Sequence, residues 1–126
     1  MSSFVLSHLA DRQLLEALPR IAARDRATTA ELLAHLAEVE VRGLHRAAGY
    51  SSMHAYCVGE LFYADDAAAK RIHAARIVRA FPVLYEMLVD GRMSLTTVRL
   101  LGGHLDHGDA VDGRFEDQRA RIGFFR

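Results

Sequence analysis

Lys70, Arg71, His73, Arg76 and Arg79 crowd into one short stretch of the chain, and their types suit contact with a polyanion. Lysine and arginine neutralise phosphates and fix register, while arginine and histidine can reach base edges in a groove. Placed about 100° apart on a helix, His73, Arg76 and Arg79 fall opposite Ala74, Ile77, Val78 and Phe81. Lys70 and Arg71 join that stripe less cleanly and read as flanking phosphate contacts. A capped helix from Ser52 to Phe62, a tight turn and a basic helix from Asp66 to Phe81 together read as a helix-turn-helix, whose second helix enters the major groove. The same pattern also describes two neighbouring helices with a solvated charged face, and the residues alone leave both readings open.

Other candidate chemistry is weaker. The chain has seven histidines, and His104 with His107 has a ligand-like gap, but only Asp106 and Asp109 lie near enough in sequence to complete a site. Cys57 falls at a core position, where a thiol acts as a small hydrophobe, and the nearby His54 does not by itself make a nucleophile and base. Glu31, Glu38 and Glu40 read as a solvated helix face. No phosphate loop, serine elbow, HExxH or paired CxxC occurs. We therefore expect no catalytic residue, no metal, no cofactor and no small-molecule substrate.

The elements that must position these residues read as helices throughout, because strand-type alternation is absent and Leu, Ala, Arg and Glu fill the periodic segments. Ser7 or Asp11 can cap a first short helix carrying Leu14, Leu15 and Leu18, and Pro19 then forces a kink or a restart. An amphipathic helix follows from Ile21 to about Arg46, with Leu32, Leu36 and Val39 on its apolar stripe. Gly49 and Ser51 mark a loop, Ser51 or Ser52 caps the next helix, and Asp65 or Asp66 caps the basic one. Pro82 suits the first position of a further helix bearing Leu84, Met87 and Leu88, which Gly91 ends. Ser94 caps a last helix with Leu95, Val98 and Leu101, stopped by Gly102 and Gly103. The expected fold is all-α, a compact multi-helix domain over residues 1–105 with a helix-turn-helix-like centre. Residues 106–126, with three glycines and mixed charge, read as a loose tail.

At 126 residues the chain fits one domain with a real core. Its formal net charge is zero, so no global field draws it to nucleic acid or membrane; only residues 64–105, with six basic against four acidic side chains, lean positive. A single cysteine excludes an internal disulfide, and no signal-like or spanning apolar run appears. A cytoplasmic protein with no membrane partner is the expectation.

Three segments also carry a resemblance: ATTAELLAHLAEVEVR at Ala27–Arg42, GYSSMHAYCVGEL at Gly49–Leu61 and AAAKRIHAARIVRAFP at Ala67–Pro82, continued by LVDGRMSLTTVRLLGGHL at Leu88–Leu105. Together they resemble the N-terminal helical region of bacterial HNH endonuclease-type proteins. Arg79–Leu101, with Pro82 and the DGRMS turn, is similar to the segment after the recognition helix in ParB-type DNA-partitioning proteins. The resemblance implies a DNA-associated helical domain that precedes a metal-dependent nuclease. The nuclease motif itself is absent from this sequence, so the expectation is a non-catalytic DNA-binding domain and a truncated or frame-disrupted member of that group. The alternative is a protein-interaction module that forms a homodimer or docks a nuclease domain through its long helix.

Overall fold

The computed structural model describes residues 4–105 of the chain. Six helices run in the order α1 (Asp11–Arg42), α2 (Leu44–Ala47), α3 (Met53–Gly59), α4 (Asp65–Ala80), α5 (Val83–Val89) and α6 (Leu95–Leu105), and no strand occurs among the described residues. The all-α expectation holds; the central helix pair is α3 and α4, but α3 ends at Gly59 rather than Phe62, so residues 60–64 form a longer link than the expected tight turn. The expected tail from 106 to 126 lies outside the described residues.

The fold is built around α4, against which α1, α3, α5 and α6 all pack. Three of its buried positions are alanines, Ala68, Ala74 and Ala75, which let neighbouring backbones come close; Ile72, Ile77 and Val78 fill the spaces between. Leu33 and Leu36 enter this core from α1, Cys57 from α3, Leu84, Met87 and Leu88 from α5, and Val98 from α6. Of the apolar positions the sequence points inward, Leu36, Ile77, Val78, Phe81, Leu84, Met87, Leu88 and Val98 are buried, and Leu32, Val39, Leu95 and Leu101 pack at the margin. Ala30, Ala37, Met53 and Met93 are buried with them.

Several boundaries follow the expected chemistry. The Ser52 hydroxyl accepts from the Ala55 amide at 3.0 Å and the Ser94 hydroxyl from Thr97 at 3.1 Å, each satisfying an amide that its helix leaves unpaired. Gly91 takes φ +85° at the end of α5. The acidic residues of α4 act differently: Ala64 holds the cap position, and Asp65 and Asp66 lie in the first turn, where the positive end of the helix dipole favours them. Pro82 stands immediately before α5 rather than as its first residue.

An expected restart and an expected stop do not occur. Helix α1 runs through Pro19 without a restart. The Leu15 carbonyl that Pro19 cannot satisfy lies in an exposed stretch, where water can bond it. The break falls instead at Gly43, whose φ of +68° ends α1 in the left-handed conformation that glycine accepts most easily. Helix α6 likewise passes through Gly102 and Gly103. Gly102 is buried against α4, and a Cβ there would stand 2.1 Å from Ile77 Cδ1 and 2.7 Å from Cγ1. Its role is close approach of two helices, not termination.

Gly102→Ala should therefore overpack the α4–α6 contact and destabilise the fold by about 1–3 kcal/mol. Ile77→Val, which removes the nearest methyl, should cost less in the Gly102→Ala background than alone. Urea unfolding of the four proteins of this double-mutant cycle measures the coupling, and strictly additive effects would contradict the contact.

Candidate functional site

The five residues expected to meet DNA do not share one face. The Arg76 guanidinium donates through Nε, at 3.0 Å, and through a terminal nitrogen to the two carboxylate oxygens of Glu40 on α1. Arg79 donates to Glu38 Oε1 at 2.9 Å, and Arg42 donates to the other oxygen of the same carboxylate at 2.8 Å. Both groove-side arginines are thus engaged by α1 carboxylates that read in the sequence as a solvated face. These hydrogen bonds hold both carboxyls below their ordinary value of 4.5: Glu38 through Arg79 and then Arg42, Glu40 through Arg76.

The remaining three candidates have different surroundings. His73 is half-buried and lines a groove with Ser52, His54, Ala69 and Arg76. Lys70 is exposed, 3.9 Å from Asp66 one turn earlier. Arg71 lies over the Tyr63 ring at 4.8 Å and reaches the Ala67 carbonyl at 3.4 Å. It belongs to another surface, beside Asp25 and Arg26 of α1. Lys70, His73, Arg76 and Arg79 thus recur every three residues along the open side of α4, and Arg71 alone is set apart from them.

The other candidates resolve simply. Cys57 is fully buried and burial pushes its thiol up, away from the thiolate a nucleophile needs. His54 Nε2 lies 3.1 Å from Asp65 Oδ1 rather than serving the thiol. Among the described residues no group of three histidine, cysteine or acidic side chains could hold a metal ion. His104 falls in the last turn of α6 and His107 lies outside the described residues.

The least satisfied surface lies where the sequence places a first short helix carrying Leu14, Leu15 and Leu18, followed by Ile21 at the start of the next. At 1.5 Å per residue α1 is about 48 Å long, twice the roughly 24 Å of α4. Its buried positions begin at Ala30, and Arg26 is the first residue tied to the bundle, where its Nε donates to the Val89 carbonyl at 3.2 Å and caps α5. Residues 11–25 project beyond that point and are exposed except for the half-buried Ala17. Leu14, Leu15, Leu18 and Ile21 leave 38, 72, 64 and 51% of their surface in solvent. They fall on one face, bounded one heptad to either side of Leu18 by Asp11 and Asp25.

This overhang remains helical by local means. Apart from Pro19 most of its residues are good helix formers, the Gln13 side chain accepts from the Ala10 amide at 2.8 Å, and Arg12 pairs with Glu16 at 3.0 Å along the helix. It also extends a helix that the core has already nucleated. At its root a cavity of about 310 Å³ opens, walled by Leu88, Met93 and Leu95 and edged by Asp25, Arg26 and Arg71. Leu14, Leu15, Leu18 and Ile21 repeat the spacing of Leu32, Leu33, Leu36 and Val39 on the same helix face, so periodicity carries no signal that separates this patch from the core stripe.

No family model, curated protein or solved structure matches the chain. Among the described residues no helix is long and apolar enough to cross a membrane.

The ion pairs across α1 and α4 set an acid dependence. Carboxyls whose folded pKa is depressed contribute stability that is fully present above their unfolded value and is lost as pH falls through the folded one. The urea midpoint should thus be level above about pH 5 and fall below the ordinary carboxylate value. Glu40→Gln should lower the plateau and flatten that fall, and an unchanged slope in the variant would show that the Glu40 pair does not carry it.

Proposed function

We propose that this chain is a non-catalytic helical interaction module that docks a protein through the overhang of α1. The observation that supports this most directly is a helix twice the length of its packing partner, with four large apolar side chains continuing past the core along one face. An exposed contiguous apolar patch of this kind marks an interaction surface on a folded protein. The lone buried thiol fits a reducing cytoplasmic setting. The nuclease domain implied by the resemblance to HNH endonuclease-type proteins is one class of docked protein.

Direct DNA contact through Lys70, Arg71, His73, Arg76 and Arg79 finds less support in the geometry. Arg76 and Arg79 would have to exchange their carboxylate partners for phosphates, and Arg71 sits apart from both. Such binding would weaken steeply with salt, by roughly 0.9 log unit per contact for each log unit of salt concentration.

A Leu18→Cys variant tests the docking reading, since Cys57 is buried and leaves the new thiol as the accessible one among the described residues. In cells at native expression, maleimide labelling of Leu18→Cys should be at least tenfold slower than that of Ala80→Cys, a control at another exposed position. Equal labelling of the two would overturn the proposal.

A further inference from the structure

The overhang fits a copy of itself. The exposed stretch 11–25 is centred on Leu18, and its large side chains are arranged nearly symmetrically about that residue. When two such helices lie antiparallel with Leu18 on the two-fold axis, Leu18 meets Leu18, Leu14 of one copy falls beside Ile21 of the other, and Leu15 falls beside the small, exposed Ala22. These are complementary contacts between large and small apolar groups, and each is made twice, as an isologous two-fold interface requires.

The same register has a consequence at each end. Because the paired stretches are equal in length, about 22 Å at 1.5 Å per residue, the start of α1 in one copy arrives at the root of the other's overhang. There it meets the cavity of about 310 Å³. Its edge carries Arg26 and Arg71 against Asp25, a local excess of one positive charge, and the arriving residue is Asp11, for which no ion pair is formed among the described residues. Its walls, Leu88, Met93 and Leu95, are apolar, and the segment that precedes α1 brings Val5 and Leu6, which leave 56 and 45% of their surface in solvent. A parallel pair would instead leave both cavities open.

Resting on the docking reading above, we infer that the protein docked on the overhang is a second copy of this chain, paired antiparallel about Leu18, with the Val5–Leu6 segment of each copy closing the cavity at the root of the other. The assembled dimer then has a continuous core, in which the apolar face of α1 is covered along its whole length: by α4 and α5 in its own bundle, and by the partner's overhang beyond it.

Sedimentation velocity of the full chain over a wide concentration range should show a monomer–dimer equilibrium. Leu18→Glu, at a site that is exposed in the single chain, should keep the helical circular dichroism of the parent and sediment as a monomer. Val5→Ser with Leu6→Ser should weaken the dimer by about tenfold or more. Under mild oxidation Leu18→Cys should link to itself. Leu14→Cys and Ile21→Cys, differently tagged and mixed, should link to each other far faster than either links to itself. A chain that stays monomeric at every concentration, or Leu14→Cys linking chiefly to itself, would overturn the inference. If Leu18→Cys were protected in cells while the purified chain remained monomeric, the second copy would be excluded and the docking reading would stand. If it were unprotected in both settings, the two would fall together.

Discussion

The close approach of other helices to α4 is the constraint on which the rest of the structure depends. Alanines at 68, 74 and 75 and a glycine at 102 on the facing helix bring backbones together, and the larger Ile77, Val78, Leu84 and Val98 then fill a core with little spare volume. The opposite side of this helix stays open to solvent. Its arginines emerge at the edge of the α1 contact and are taken up by Glu38 and Glu40, so charges that look available in the linear sequence are engaged within the fold. Exposed pairs of this kind contribute modestly to stability.

The same constraint explains why half of α1 is unused by the core. The bundle is only as long as α4 permits, and a helix twice that length must project. Most surface helices in that position turn polar. This one keeps Leu14, Leu15, Leu18 and Ile21 on the face that continues its buried stripe, and Arg26 marks the change by capping α5 at the edge of the bundle. Local capping and an i,i+4 ion pair are enough to keep the projection helical, whereas none of the described residues covers its apolar face.

Much of the fold was legible in the sequence because it is written in local chemistry. Ser52 and Ser94 cap the helices they precede, Gly91 takes the positive φ its position implies, and the apolar periods of α4, α5 and α6 point to the core. The signals that failed were those whose meaning depends on distant partners. Gly102 reads as a stop until Ile77 is seen against it, Pro19 reads as a break until its surroundings are seen to be solvent, and Arg76 reads as free until Glu40 arrives from a residue far away in sequence. For the candidate site the difficulty was larger. An apolar stripe has the same periodicity whether its own chain or another covers it, so only the length of α1 relative to α4 separates Leu18 from Leu36.

The central claim, that α1 is half core and half docking surface, is tested most directly by amide hydrogen exchange on the purified chain at low and high concentration. In dilute solution the amides of residues 11–25 should exchange orders of magnitude faster than those of 30–42, within one continuous helix, and should gain protection as the concentration rises. Uniform protection along α1 at every concentration would contradict the account.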